Sequence, residues 1–510
     1  MARRVRLVVS LALAGALVGW MAGQLAATGQ AVNIVGLAIL LVPVAMWRRP
    51  QITPLVLIAA ALLIEQVGQG VASTGVDQPG AGEVVLTAHI PVTSAIPLFR
   101  GIGSLHMQPV DLLVAGAFVL YLLRSLDWGP RWRPRSHVSV AIVALLCMVI
   151  LGIAVGVAGH GDMRVAFMEA RPFVYLASAY LLTALLIRSR AALRAALWTL
   201  VIVIGLKALQ GLFIFVQIRH LNPRPEAVLG HEEAYTFTLF ILLVAALRLY
   251  GVEGRLVRTA TWMLPVVIAA DLVNNRRAAW LILGGGLITL AAVGYRSLPS
   301  RRRVLGWTAL AALAICAVYL PAYWNKTGGL AQPARALHSM VAPDPRDASS
   351  DLYREQENEN LKYNIEQAGL VGRGFGVPID YALPIVDISG IDPLITYVPH
   401  NGVLYVLMRM GLLGGVAMWA LIGTGVITGC RLARSADREI AAVGAVLAGL
   451  LVAYALEGAT DQGFFFYRIA IVTGGVLGLA EAGRRLARRG DARSAPRAPA
   501  PRAVPAGVRV

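Results

Sequence analysis

The stretch TYVPHNGVLYVLMRMGLLGG, residues 396–415, places a histidine and an asparagine, His400 and Asn401, at the mouth of an apolar, glycine-spaced run. An imidazole with a pKa near about 6.5 can take a proton from a hydroxyl at neutral pH. Three arginines stand at comparable mouths: Arg171 in EARPFVYLASAYLL, and Arg276 and Arg277 in NNRRAAWLILGGG. Guanidinium forks match phosphate oxygens, and fixed cations stabilise a leaving group that gains negative charge. These types suit transfer of a group from a lipid diphosphate to a hydroxyl, with His400 as the base and Arg171, Arg277 and Arg276 on the diphosphate. Glu169, Tyr397, Asn401 and Tyr405 are candidates for binding the acceptor or lining the pocket. Glu232 and Glu233, after His231, are further candidates for acceptor hydroxyls or, more plainly, polar interface residues. Each also has a bland reading: an arginine that anchors a helix end on headgroups, or a histidine that serves as a helix-entry contact.

No metal site is read. The cysteines Cys147, Cys316 and Cys430 lie far apart, without metal-ligand spacing, as small buried hydrophobes. Glu355, Glu357 and Glu359 in REQENEN read as a solvated loop face, and no acidic pair stands where it would hold a divalent ion on a donor.

The elements that must position these residues are membrane helices. The 510 residues are 57% hydrophobic, with a mean hydropathy of +0.67, above a soluble composition. Apolar segments recur at about 5–27, 31–47, 52–67, 109–123, 137–159, 170–187, 192–218, 233–249, 258–272, 276–295, 304–323, 401–429, 439–456 and 463–483. With a cytoplasmic N-terminus, the loops on that side hold 30 of the 46 Lys and Arg and the opposite loops 13. This is the positive-inside pattern, and it accounts for the net charge of +18 without nucleic acid. The start, MARRVRLVVSLALAG, reads as a retained first helix rather than a cleaved leader.

The expected fold is an all-α polytopic membrane protein with about 12–14 transmembrane helices and a large external loop. Residues 1–323 form a bundle of about eleven helices, 324–400 the loop, 401–483 the last transmembrane helices and 484–510 a disordered basic cytoplasmic tail. A second external segment spans 68–108 and holds Asp77 and Glu83. Within the large loop, Leu352, Tyr353, Asn360, Leu361, Asn364 and Ile365 recur at helical spacing before a stop at Gly372, Gly374 and Gly376. Asn401 is placed to cap the next helix. On that helix His400, Leu404, Leu407, Gly411 and Gly414 fall within about 40° of one another. They predict a packed face on which the glycines admit a neighbouring helix, with Arg409 on the opposite side, as a functional or a structurally paired intramembrane charge.

These residues resemble the O-antigen ligase and O-antigen polymerase family. HNGVLYVLMRMGLLG is similar to its His-Asn, nine residues, Gly-x-x-Gly pattern, REQENENLKYNIEQAGLVGRGFG to its loop helix and glycine turn, and NNRRAAW to its Ser-Arg-Gly-Ala-Trp helix start. Arg277 matches that arginine, Arg276 stands where the serine is usual, and Arg171 matches an earlier external arginine loosely. The likeness covers roughly residues 160–430. It implies a metal-independent, cofactor-free inverting glycosyltransferase in the bacterial inner (cytoplasmic) membrane, with both termini cytoplasmic and an external active site. The implied donor is an undecaprenyl-diphosphate-linked oligosaccharide. Arginines hold the diphosphate and His400 assists the acceptor hydroxyl of a glycan or lipid-linked acceptor. The implied product is a surface polysaccharide (O-antigen, capsular or exopolysaccharide), made with other polysaccharide-assembly proteins. The alternatives are a ligase acting on lipid A core or protein, and a transporter or flippase of lipid-linked sugars. A transferase using a polyprenyl monophosphate sugar is a further rival.

Overall fold

The computed structural model describes residues 42–63, 109–128, 136–220, 228–326, 329–339, 341–342, 345–386 and 394–494. The expected first segment, most of the second, the 68–108 loop and the part of the tail beyond 494 lie outside them. Among the described residues every regular element is a helix and there is no strand. In chain order these are α1 (Thr53–Leu63), α2 (Pro109–Trp128), α3 (His137–Ala158), α4 (Met163–Leu186), α5 (Arg190–Ile218), α6 (His231–Leu249) and α7 (Arg255–Asn274). They continue with α8 (Arg277–Ser297), α9 (Arg302–Tyr323), α10 (Gln332–His338), α11 (Pro345–Ala368), α12 (Gly402–Leu432), α13 (Arg438–Thr460) and α14 (Tyr467–Ser494), joined by short 3₁₀ turns.

Seven of the helices, α3, α5, α7, α8, α9, α12 and α13, are long and apolar enough to cross a membrane. Helix α13 is central, between α8 and α12 and against α6, whereas α14 lies along α4. Helix α9 buries no residue and turns Trp307, Leu310, Leu313, Ile315 and Val318 outward. An apolar exposed face of that extent belongs in lipid rather than water. The chain is a multi-pass membrane protein on these grounds. Cys147 and Cys316 are exposed on α3 and α9, so the expectation of buried cysteines is corrected: their helices face outward there. Helix α14 runs to Ser494, so the expected tail boundary at 484 falls inside a helix; Arg484 pairs with Glu481 at 2.6 Å in that turn.

Among its described residues the segment 324–400 carries the α-helices α10 and α11. Asn360, Leu361 and Asn364 are buried on α11, and Leu352 is exposed. The two asparagines grip an extended stretch as a strand would. Asn360 donates to Leu383 O at 2.9 Å and accepts from Leu383 N at 2.7 Å. Asn364 donates to Asp380 O at 2.7 Å and accepts from Asp380 N at 3.0 Å.

After α11 the glycine turn is inserted between α3 and α12. Phe375 N donates to Gly152 O at 3.0 Å, and Gly374 N to Arg409 O at 3.1 Å. Gly374 has φ +84°, and a Cβ there would lie 2.1 Å from Gly156 N, so no other residue fits. Gly411 answers it from the other side: φ +64° breaks α12, and a Cβ would meet Leu370 O at 2.3 Å. The predicted shared face of α12 is therefore corrected. Gly411 is a kink that admits the loop turn, and a Cβ on Gly414 would meet Met410 of the same helix. Tyr405, Val406, Met408, Arg409 and Met410 are buried along with Gly411 and Gly414, whereas Leu404 and Leu407 of the predicted face are only half-buried.

Candidate active site

At one end of the bundle, α11 gathers side chains from four other places. Asp351, Arg354 and Glu357 are spaced by three along it, so they share one side. Glu357 is 3% exposed, against its expectation as a solvated loop face. One of its oxygens accepts the His400 backbone N–H at 2.9 Å, and the other lies 3.2 Å from His400 Nδ1. A buried carboxylate is tolerated because both oxygens find donors. Tyr353 stands edge-on to the imidazole, centroids 5.9 Å apart. Burial pulls the His400 pKa down, but the hydrogen bond and charge of Glu357, with the charge of Asp461, carry it above its ordinary 6.5. With Nδ1 engaged, Nε2 is the ring nitrogen not committed to Glu357.

Arg354 reaches the turn after α13, donating to Thr460 O at 3.0 Å and lying 3.8 Å from Asp461 Oδ2. Asp461 Oδ2 is 2.6 Å from His231 Nδ1. Burial opposes ionisation of Asp461, yet the adjoining His231 ring and the Arg354 cation hold its carboxyl well below the usual carboxylate range. His231 Nε2 in turn is 2.8 Å from Arg276 Nη1. Arg277 lies 3.2 Å from Asp351 Oδ1 and 3.5 Å from Ser339 Oγ. Thus His400, Arg276 and Arg277 are joined through α11 and Asp461. A comparison with protein-family models finds no match, and a comparison with curated protein sequences finds none either.

Asn401 caps α12 as expected: its Oδ1 accepts Val403 N and Leu404 N, each at 3.1 Å. Its amide also donates to Asn358 Oδ1 on α11 at 3.1 Å. Arg171 is placed elsewhere. It sits about two turns inside α4, 3.5 Å from Asp111 of α2, whose carboxylate also accepts the Tyr175 hydroxyl. The contacts of His400 do not include it.

Glu169 and Tyr405, read as acceptor or pocket candidates, are corrected by their burial. Glu169 is 0% exposed; one oxygen takes Arg409 Nε at 2.7 Å and the other Gly376 N at 2.5 Å. Arg409, also 0% exposed, donates further to Gly374 O, Val377 O and Tyr397 O at 3.2, 2.5 and 2.7 Å. Tyr405 lies sealed beside that guanidinium. Tyr397 is half-buried and contributes its carbonyl to this anchor. Glu232 and Glu233 are 3.1 and 2.6 Å from Arg468 Nη1 inside the bundle, and Lys207 is 3.4 Å from Glu233. They form a buried interface network.

Sequence reasoning passed over Glu357, Arg354 and Asp461 as site residues. The available signal was their helical register: Glu357 is four residues after Tyr353 and four before Leu361, both on the face already selected. Asp461 is a lone acidic residue in GATDQG and belongs to no motif.

Proposed function

We propose that the chain is a membrane-embedded inverting glycosyltransferase that polymerises a surface polysaccharide. Its donor is a glycan on an undecaprenyl-type diphosphate and its acceptor a sugar hydroxyl on another lipid-linked unit. The observation that carries this reading is the Glu357–His400 pair, set beside Arg354, Arg276 and Arg277 at one end of the bundle.

The chemistry divides between the two sets. The acceptor hydroxyl gives its proton to His400 Nε2 as its oxygen attacks the anomeric carbon. The bond from that carbon to the diphosphate oxygen breaks, with inversion. The electron pair leaves on the diphosphate, where the guanidinium groups meet its charge. Glu357 orients the imidazole and stabilises the imidazolium that forms, as the third member of a base–orienter arrangement does. Arg171, tied to Asp111, stands outside this set.

The reading includes about 12–14 transmembrane helices in the bacterial cytoplasmic membrane and both termini in the cytoplasm. The external placement of His400 is supported by the arginine-rich loops at the opposite ends of the helices. The test is the purified protein with an undecaprenyl-diphosphate-linked repeat unit, read on a gel. A ladder of chain lengths is expected, lost in H400A at normal expression. A single transfer to added lipid A core makes it a ligase. Lipid flipping in vesicles without transfer, or a full ladder from H400A, overturns the reading.

A further inference from the structure

His231, at the first position of α6, makes two contacts of opposite character. Its Nδ1 lies 2.6 Å from Asp461 Oδ2 and its Nε2 2.8 Å from Arg276 Nη1. A guanidinium only donates and stays protonated in proteins. Nε2 must therefore be the acceptor and carry no proton. The one ring proton is then on Nδ1, which approaches Asp461 Oδ2 closely but off the hydrogen-bond axis, so His231 is neutral and held in a single tautomer by its Arg276 contact. Phe466 stacks on the ring at 6.4 Å between centroids and 14° between planes. The second terminal nitrogen of Arg276 donates to Leu229 O at 3.0 Å. That backbone is itself held by Asn274, which accepts Leu229 N at 2.7 Å and donates to Gly230 O at 3.2 Å. Two fixed acceptors define the plane of the Arg276 fork.

We propose that His231 is a positioning residue: as a neutral imidazole it passes the orientation of Asp461 to Arg276, which receives the donor's diphosphate. This rests on the glycosyltransferase reading above. A carboxylate directly on Arg276 would hold the fork equally well but would cancel the charge that the phosphate needs. A neutral ring between them orients the cation and keeps the anion one ring-width away. The division of labour between the histidines follows. His400 has a carboxylate on Nδ1 and Nε2 for the substrate, whereas His231 has both nitrogens committed and moves no proton.

The experiment compares wild type, H231Q and H231A in nanodiscs, measuring affinity for undecaprenyl diphosphate together with donor KM and kcat for chain growth. A glutamine retains an acceptor for Arg276 and a donor for Asp461. We expect H231A to weaken undecaprenyl diphosphate binding and raise donor KM by about tenfold, the loss of one charge-assisted hydrogen bond, with kcat changed far less. H231Q should stay within about threefold of wild type. Equal binding by H231A and wild type overturns the proposal, as does an H231Q as weak as H231A. If H231A is too unstable to purify, R276Q with His231 intact serves: it should lose the same affinity, and wild-type binding by R276Q overturns the proposal. A wild type that binds undecaprenyl diphosphate but builds no chain removes the polymerase reading, and the binding comparison alone then decides on His231.

Discussion

Glu357 holds His400 at two points, the backbone N–H at 2.9 Å and the ring Nδ1 at 3.2 Å. One contact fixes where the residue sits in the chain and the other fixes how the ring is turned. The carboxylate comes from α11, 43 residues earlier, so the 324–400 segment is a structural part of the candidate site rather than a cover over it.

The first prediction concerns E357Q. On the proposed mechanism His400 must be neutral to act as base, so activity should rise with pH through its pKa. Glu357 keeps that pKa above 6.5 against burial. Removing its charge leaves burial in command, so the acid limb of the kcat profile should move to lower pH in E357Q. The pair also adds stability below the unfolded imidazole value of about 6.5, and this is lost as pH rises through the higher folded value. The melting difference between wild type and E357Q should therefore shrink from pH 6 towards pH 8. An acid limb that stays in place in E357Q would remove Glu357 from the site's chemistry.

Arg354 supports a second prediction. It is one turn from Glu357 and reaches Asp461 and Thr460 O, so it stands between His400 and the Asp461–His231–Arg276 chain. If it meets the leaving diphosphate, R354Q should lower kcat/KM by on the order of a hundredfold. R354K should recover little, because a point charge cannot replace the fork. Transfer assays on purified variants with matched melting temperatures check this; near-wild-type turnover in R354Q would refute it.

How far the site was legible in the sequence follows from the range of each interaction. Helix spans were legible because hydropathy is local: the expected 304–323 and 192–218 appear as Arg302–Tyr323 and Arg190–Ile218. The Asn401 cap was legible for the same reason, since its acceptor serves amides two and three residues on. Arg409 was ambiguous because its carboxylate, Glu169, is 240 residues away. Gly411 was assigned to helix packing because glycine spacing alone does not distinguish a close helix neighbour from a left-handed kink. Glu357 was hidden by composition: amid Glu355 and Glu359 its charge suggested water, and only the three-dimensional docking of α11 buries it.

The Arg409–Glu169 pair yields a stability prediction. Both side chains are fully buried, and together they bond Gly374, Gly376, Val377 and Tyr397. Removing one partner leaves a charge without compensation inside the bundle, at a cost of about 3–5 kcal/mol. R409M should thus lower the melting temperature strongly and expose the 369–386 segment to protease. Adding E169Q to R409M should recover part of the loss, because the orphaned charge is gone. Full stability of R409M in detergent would show that the loop is anchored elsewhere.

The Arg277–Asp351 pair leads to the opposite expectation. Its side chains are 35% and 45% exposed with 3.2 Å between charges. At that exposure solvent screens the attraction, and such a pair contributes less than about 1 kcal/mol. D351N should therefore leave the melting temperature nearly unchanged. Its effect should appear in function, because Asp351 competes with any phosphate for the Arg277 fork. Donor KM in D351N should fall or hold, and in R277Q it should rise. The salt dependence of donor binding should be weaker in R277Q than in D351N, since one fewer cation then meets the phosphate. Matched increases of donor KM in D351N and R277Q would instead make the ion pair itself, rather than the arginine alone, the requirement.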